Sequence, residues 1–180
     1  MTYSQDSTDF RFEKLKEIKK LYSKYNPVIH NTEEEIKYFF LCVNDFAIEL
    51  KNPYTNKKED SIDIWFEDTL DNNFSLDFLD WNKLYPCDEN AYKDFLIDLN
   101  NLLENKMCIL TAYEPRKMQK NQKRITYNKV LSICSNIQFS PDSVIEEIFK
   151  EFDSYKNKYP NIKKIKIFYW DLSLSFEVKK

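Results

Sequence analysis

The stretch that decides the fold is SIDIWFEDTLDNNFSLDF, residues 61–78. Apolar residues occupy alternate positions near its start, at Ile62, Ile64 and Phe66. This is the period of a half-buried strand. The last five residues repeat the pattern, and a polar turn separates the two runs. Because sequential strands usually pair, the stretch predicts a β-hairpin with an acidic outer face.

The hairpin belongs to a longer acidic stretch, residues 59–104. This stretch holds thirteen acidic residues and two lysines, a net charge of −11, whereas the whole chain carries −3. Aromatic residues lie among the acids, so we expect the rest of the chain to act as a scaffold for an acidic, aromatic-bearing surface. These aromatic residues are Trp65, Phe66, Phe74, Phe78, Trp81, Tyr85, Tyr92 and Phe95.

Helical spacing appears on both sides of the hairpin. Residues 9–25 and 88–105 carry apolar side chains at three- and four-residue intervals, which predicts an amphipathic helix in each segment. Asn26-Pro27 ends the first of these helices, because the residue before a proline disfavours helical backbone.

A further helix is predicted between the first helix and the hairpin. Thr32 and Glu35 form a capping box, and apolar helical spacing then continues to about residue 51. This spacing favours one helix, with its apolar face over residues 36–50. The competing interpretation breaks the run at Asn44-Asp45 into two short strands.

The C-terminal part predicts strands and one more helix. Ser140 supplies an N-cap oxygen and Pro141 suits the first helical position, so a helix is expected to start there and carry a core stripe to Tyr155. A bulge or bend is expected near Trp170-Asp171, where the apolar set changes from odd to even positions. The predicted strands are residues 107–113, 130–139 and 162–178.

The predicted element order is α-α-β-β-α-β-β-α-β. It indicates an α+β fold in one globular domain over residues 1–180, with a single antiparallel or mixed sheet of about five strands and about four packed helices. No internal repeat, linker or composition break divides the sequence.

The chain contains no glycine. Dinucleotide fingerprints, phosphate-binding Walker loops and the nucleophile elbow all need glycine, so these site types are excluded as written. Left-handed backbone positions are expected to use Asn or Asp instead. An A+T-rich coding sequence would also enrich Asn, and one sequence leaves both explanations open.

Composition indicates a folded cytoplasmic domain. Hydrophobic residues make up 42% of the 180 positions, which argues against intrinsic disorder. No apolar run approaches the roughly 18 residues needed to span a bilayer, and the first residues have no secretion-signal pattern. The cysteines are therefore expected to be reduced thiols. They are Cys42, Cys87, Cys108 and Cys134.

Catalytic and metal-binding groups have little support in the sequence. His30 is the one histidine, and its neighbours supply no partner for a Ser-His-Asp or Cys-His set. Cys87 precedes a helix, which favours a thiolate, but Asp88 and Glu89 oppose that effect. Zinc-ligand pairs and calcium-loop spacing are missing. We predict no catalytic residue, no cofactor and no metal.

Residues 116–129 are basic, and Tyr113 and Tyr127 lie at the ends of this segment. A basic patch with aromatic residues can bind single-stranded nucleic acid. The sequence pI of about 5.4 argues against that function, because nucleic-acid-binding domains are normally basic as a whole. The alternative is a mobile hairpin tip whose lysines protect an exposed sheet edge.

The sequence therefore favours a protein-binding module over an enzyme. Acidic residues steer a basic protein partner, and tryptophans anchor it. Small bacterial immunity proteins, which neutralise nuclease or other toxins, share this general composition, although no motif here resembles a known family. The predicted partner-facing residues are Asp63, Trp65, Glu67, Asp68, Asp71, Asp77, Asp80 and Trp81.

Three points stay open. A small hydrolase or transferase with a carboxylate-based cleft is one alternative function, and a structural or assembly subunit is another. Trp65 would face the core if the strand register slipped by one residue. The oligomeric state is unknown.

Overall fold

The computed structural model describes residues 10–30, 46–55, 57–66, 73–116 and 125–180. The chain divides into two compact units, unit 1 at Met1–Leu99 and unit 2 at Asn100–Lys180. The expectation of one domain over the whole chain stays a prediction. The α+β class is confirmed, but the predicted single sheet is wrong, because the strands form two antiparallel sheets.

Unit 1 contains helix α1 (Phe10–Leu21) and a five-stranded antiparallel sheet in the order β1-β2-β3-β4-β5. Short 3-10 turns lie at Ser23–Tyr25 and Lys58–Asp60. Helix α2 (Glu89–Leu103) follows the sheet. The strands are β1 (Val28–His30), β2 (Phe46–Leu50), β3 (Ile62–Phe66), β4 (Asn73–Phe78) and β5 (Trp81–Pro86).

The predicted hairpin is confirmed as β3 and β4. They pair antiparallel with Ile64 opposite Leu76, and Ile62, Ile64 and Phe66 are buried as the alternation indicates. The turn between them, residues 67–72, lies outside the described residues.

The predicted single helix reaching residue 51 is wrong at its C-terminal end, where Phe46–Leu50 is strand β2. Residues 31–45 lie outside the described residues. Short apolar runs satisfy both helical and strand periods, so spacing could not decide between them. The pairing decides, because β2 hydrogen-bonds to β1 on one side and β3 on the other, and all five of its residues are buried.

An aromatic ladder crosses the helix-bearing face of the sheet. The ring of Phe66 stacks on Phe46 at 4.9 Å and on Phe74 at 5.5 Å, and Phe74 stacks on Tyr85 at 5.3 Å. Phe95 of α2 meets the Phe74 ring edge-on at 5.2 Å. Each such pair contributes about 0.5–1.5 kcal/mol beyond its buried area, so the ladder fixes where α2 packs.

Both ends of α2 are capped by polar residues. At the start, Asp88 Oδ1 accepts hydrogen bonds from the backbone N–H groups of Asn90 and Ala91, each at 2.9 Å. At the end, Asn105 adopts φ 57° and the Lys106 N–H donates to the Asn101 carbonyl at 2.8 Å. This is a Schellman cap with Asn in the position that glycine usually fills.

Left-handed backbone occurs at three described residues: Asn26 (φ 48°), Leu79 (φ 56°) and Asn105. The expectation that Asn replaces glycine at such positions is confirmed at two of them. Leu79, in the two-residue turn between β4 and β5, departs from it.

Unit 2 contains a four-stranded antiparallel sheet in the order β7-β6-β8-β9, with helix α3 (Ile145–Lys150). Single 3-10 turns lie at Asp153–Tyr155 and Leu172–Leu174. The predicted break near Trp170-Asp171 is the connection between β8 and β9. The strands are β6 (Cys108–Pro115), β7 (Tyr127–Ser135), β8 (Lys164–Phe168) and β9 (Phe176–Lys179).

The last helix begins later than predicted. Ser140 and Pro141 belong to a turn in which the Ser143 N–H donates to the Ser140 carbonyl at 2.9 Å, so Ser140 is not the N-cap. Val144 occupies that position without a side-chain cap. The described residues contain three α-helices, not the predicted four. Two strands that are absent from the predicted element order, β1 and β2, come before the β3–β4 hairpin in the chain.

Tyr169 ties the unit 2 core together. Its hydroxyl accepts a hydrogen bond from the Phe139 N–H and donates one to the Phe139 carbonyl, both at 2.7 Å. Burial raises the pKa of Tyr169 from 10 to about 12, and burial likewise raises the pKa of Cys108 to about 12.

These pKa values predict a loss of stability at alkaline pH. Between pH 10 and about 12, the unfolded chain releases the Tyr169 proton while the folded chain keeps it, so the free energy of unfolding falls as pH rises. Tyr169→Phe is expected to shrink this fall in urea unfolding measured from pH 9 to 12, leaving the parts due to other buried groups with raised pKa values, among them Cys108 and Tyr92. The variant also loses both hydrogen bonds to Phe139, at a cost of about 1–3 kcal/mol below pH 9. An unchanged alkaline fall in the variant would contradict the assignment.

Candidate functional site

Five of the eight predicted partner-facing residues are described. Asp63 and Trp65 lie on β3, Asp77 on β4, Asp80 in the following turn and Trp81 on β5. Glu67, Asp68 and Asp71 lie outside the described residues. For all eight residues, a role in partner binding stays a prediction.

Strand register places three of the five on one face of the sheet. Asp63 lies directly opposite Asp77, and Trp65 lies two residues along the same strand, opposite Ser75. All three face away from the aromatic ladder. Trp81 is paired with Phe78 and belongs to the ladder side, so it does not join them. Asp80 is exposed at the end of the sheet.

Side chains on this face become more exposed from β2 towards β5. Leu84 lies opposite Ser75 on the side away from Trp65, so Ser75 lies between the two in the cross-strand row. Leu84 is 60% exposed. Asp63, Trp65 and Asp77 are half-buried. We call Asp63, Trp65, Asp77 and Leu84, with Asp80 at the edge, the acidic face.

The opposite end of the same face is closed and polar. Glu49 lies on β2 directly opposite Asp63, which continues the row of carboxylates across three strands. Like charges opposite one another destabilise a sheet unless other contacts compensate. Asp77 Oδ2 accepts a hydrogen bond from the Ser75 hydroxyl at 2.6 Å, and Glu49 is held by two further residues.

Those two residues are His30 and Ser61. His30 Nε2 lies 3.0 Å from Glu49 Oε2, and the Ser61 hydroxyl donates to Glu49 Oε1 at 3.0 Å. The three residues are 8%, 6% and 7% exposed, in the order His30, Glu49, Ser61. Sequence reasoning missed this cluster, because it placed Glu49 in a helix and His30 in a connection. The alternation of Phe46, Ile48 and Leu50 was the signal that could have found it.

The cluster has the wrong order for nucleophilic catalysis. A Ser-His-Asp set places the imidazole between the hydroxyl and the carboxylate, so that the imidazole takes the hydroxyl proton. Here the carboxylate of Glu49 lies between His30 and Ser61. The arrangement gives the buried Glu49 carboxylate two polar partners and links β1 to β2 through His30, and it does not activate Ser61.

Two acidic side chains of α2, Glu89 and Asp98, are paired with lysines. Asp98 Oδ2 accepts hydrogen bonds from Lys83 Nζ and from the Tyr85 hydroxyl, both at 2.6 Å. Glu89 pairs with Lys14 Nζ at 2.9 Å. Asp88 and Asp94 are exposed. The pairing leaves fewer free carboxylates on this helix than the sequence suggests.

Lys14 is the cation that holds α1 to α2. Its Nζ lies 4.5 Å from the centre of the Tyr92 ring, a cation–π contact. Burial lowers the pKa of Lys14, but the hydrogen bond that Lys14 donates to Glu89 and the charges of Glu17 and Glu89 outweigh it, so the pKa is raised. The lysine therefore stays charged, and burial raises the pKa of Tyr92 as well.

The two units carry opposite charge. Unit 1 has 12 Lys and Arg and 21 Asp and Glu, a net charge of −9. Unit 2 has 15 Lys and Arg and 9 Asp and Glu, a net charge of +6. The net charge of −3 on the whole chain is therefore the sum of an acidic unit and a basic unit.

Unit 2 has a surface cleft of about 320 Å³ beside α3. Four lysines line it, together with Glu146 and Asp153. Asp153 is already paired with Lys156 at 2.8 Å. Cations outnumber carboxylates here, so this cleft lends no support to the alternative of a hydrolase or transferase with a carboxylate-based cleft. The four lysines are Lys150, Lys156, Lys163 and Lys180.

The part of the chain that the structure describes contains no group of three or more His, Cys, Asp and Glu side chains arranged to hold a metal ion. No helix there is both long enough and apolar enough to cross a bilayer. Cys108 is buried, Cys87 and Cys134 are half-buried, and Cys42 lies outside the described residues.

The chain was compared with protein-family models, with curated proteins and with solved structures, and no match was found in any of the three comparisons.

Proposed function

We propose that this chain is a protein-binding module that takes a basic protein partner on the acidic face of unit 1. An immunity or inhibitor protein that neutralises a basic toxin or nuclease has this kind of function. The observation that supports it most is the placement of Asp63 and Asp77 beside Trp65, on a face that opens onto exposed Leu84.

The two parts of this face have different roles. Carboxylates attract a cationic partner over several ångströms and raise the association rate, and the net charge of −9 on unit 1 strengthens that field. Trp65 and Leu84 provide the apolar anchor that slows dissociation once the partner is seated. An acidic rim around an apolar centre is the usual anatomy of such an interface.

Removing the charge of the face is expected to slow association. The variant Asp63→Asn, Asp77→Asn, Asp80→Asn keeps side-chain shape and removes three charges. We expect the association rate with the basic partner to fall about tenfold at low salt and its salt dependence to weaken, with a smaller change in the dissociation rate. Stopped-flow measurement at low and high salt checks this, with each basic protein encoded beside this chain produced singly as the partner.

A matched control is available in unit 2. Asp142→Asn, Glu146→Gln, Glu147→Gln removes three exposed carboxylates and makes the same change in net charge. An equal loss of association rate in this control would show that only the total charge matters, and would contradict the assignment to the acidic face. Failure of every basic protein to bind the parent would contradict the proposal itself.

The assembly-subunit alternative is favoured by one observation, the opposite charges of the two units. Copies of the chain could then associate acidic unit to basic unit. Sedimentation velocity at low and high salt measures this, and the same experiment on both triple variants separates self-association from partner binding. A monomer at both salt concentrations would exclude the alternative.

A further inference from the structure

The unit 2 sheet carries a basic and aromatic row on the face away from its core. Strand register places Lys129, Tyr113, Lys164 and Lys179 directly opposite one another, one on each strand, in the order β7, β6, β8, β9. The other face of the same strands packs into the apolar core through Leu110, Ala112, Ile165 and Val178. The row is therefore not needed to fill the core.

The neighbouring positions extend the row. Tyr127 lies opposite Pro115, two residues beyond Tyr113 on β6, and Lys166 lies two residues along β8 from Lys164. Lys164 Nζ is 4.9 Å from the centre of the Tyr113 ring and 5.3 Å from that of Tyr127. Lys166 Nζ is 5.7 Å from Tyr113. The lysines fix the orientation of both rings.

One carboxylate belongs to the row. Glu177 contacts Lys179 Nζ at 3.0 Å and Lys164 Nζ at 3.3 Å. The hydrogen bond from Lys179 lowers the pKa of Glu177 most, and the hydrogen bond from Lys164 and the charges of both lysines add to it against the opposing effect of burial. This carboxylate offsets the repulsion between Lys164 and Lys179, which face each other across the strands. Four lysines against one glutamate still leave an excess of positive charge.

We infer that this face, defined by Tyr113, Tyr127, Lys129, Lys164, Lys166 and Lys179, binds single-stranded nucleic acid. Lysines contact phosphates, and tyrosine rings stack on bases that are not paired. The low pI of the whole chain, about 5.4, speaks against nucleic-acid binding. The charge of +6 on unit 2 removes that objection, because the acidic residues lie mainly in unit 1.

The tyrosines select this ligand over an acidic peptide. A peptide carboxylate needs cations only, whereas two rings held half-exposed on a sheet offer stacking surface that a base uses and a carboxylate does not. Thr111, towards the other end of the same face, is buried and hydrogen-bonded to Ser132, so the ligand is expected at the Tyr113 end.

The test uses the full chain and a labelled oligodeoxythymidylate of about 16 nucleotides, a length that covers one ordinary single-strand site. Fluorescence anisotropy measures the dissociation constant over a range of salt concentrations. Tyr113→Leu is expected to weaken binding about 5- to 100-fold, the usual loss of one stacked base, while Tyr113→Phe stays close to the parent. Lys166→Gln is expected to reduce the slope of log affinity against log salt by about 0.7.

A matched control lies elsewhere in unit 2. Tyr155→Leu and Lys150→Gln change the same residue types at exposed positions near α3, and both are expected to leave binding unchanged. Circular dichroism verifies that each variant is folded. If Tyr113→Leu does not fold, Tyr127→Leu and Lys166→Gln decide the outcome.

Three results would overturn the inference. The first is no binding by the parent at low salt. The second is an equal loss of affinity in the row variants and the controls. The third is competition by poly-glutamate as effective as that by unlabelled oligonucleotide, together with tyrosine variants that bind like the parent. This last result would indicate a general anion surface suited to an acidic protein.

Discussion

Phe74→Ala is expected to lower the free energy of unfolding of unit 1 by about 3–5 kcal/mol, the usual cost of removing a buried phenylalanine. Phe74 lies at the centre of the aromatic ladder. The centre of its ring lies within 5.5 Å of the ring centres of Phe66, Tyr85 and Phe95. The ring centre of Phe10, on α1, is 6.5 Å away. The substitution therefore leaves a cavity between two helices and the sheet, where the rigid strands cannot close it.

Hydrogen exchange in urea measures the effect peptide by peptide, so unit 1 is followed separately from unit 2. Leu84→Ala is the control, because Leu84 lies on the neighbouring strand but is mostly exposed, and its loss is expected to cost no more than about 0.5 kcal/mol. A loss below about 1 kcal/mol for Phe74→Ala would contradict the central role of this ring.

Glu49→Ala is expected to lower the free energy of unfolding by about 2–6 kcal/mol, because two buried polar side chains, His30 and Ser61, each lose a partner at about 1–3 kcal/mol. His30 loses its contact at 3.0 Å, and the Ser61 hydroxyl loses its acceptor. Glu49→Gln keeps the shape and one acceptor oxygen, so its cost should be smaller, about 1–3 kcal/mol. Urea unfolding measures both.

Glu59→Ala provides the comparison, since Glu59 is an exposed glutamate in the same unit and should cost no more than about 0.5 kcal/mol. A double-mutant cycle with His30→Ala isolates the His30–Glu49 contact, and a coupling energy of at least about 0.5 kcal/mol is expected. If the losses in the free energy of unfolding were additive, His30 and Glu49 would contribute to stability independently, and their contact would contribute nothing.

The sequence predicted those elements whose pattern allowed a single interpretation. The β3–β4 hairpin, helix α2 and strand β6 were found, because alternation or helical spacing extends over enough residues in each. Asp63, Trp65 and Asp77 were placed on one face for the same reason. The unbroken strand period fixed the side on which each side chain lies.

The missed features depend on pairing between distant segments. Strand β5, with exposed Asn82, Lys83 and Leu84, has no apolar alternation, and only its pairing with β4 defines it. The position of Trp81 opposite Phe78, on the ladder side, could therefore not be predicted from the local pattern. The division of the strands into two sheets could not be predicted either. The local sequence of β6 does not indicate that it pairs with β7 and β8 and not with β5.

Leu79 gives this fold an unusual mutational property. Most substitutions destabilise a protein, yet a bulky residue in left-handed backbone carries a strain of about 1–2 kcal/mol that glycine or asparagine would relieve. Asn105 offers no such gain, because its side-chain oxygen accepts the Asp171 N–H at 2.8 Å. Leu79→Gly or Leu79→Asn is thus expected to raise the free energy of unfolding of unit 1 by about 1–2 kcal/mol. Such a gain would compensate for destabilising substitutions elsewhere in unit 1.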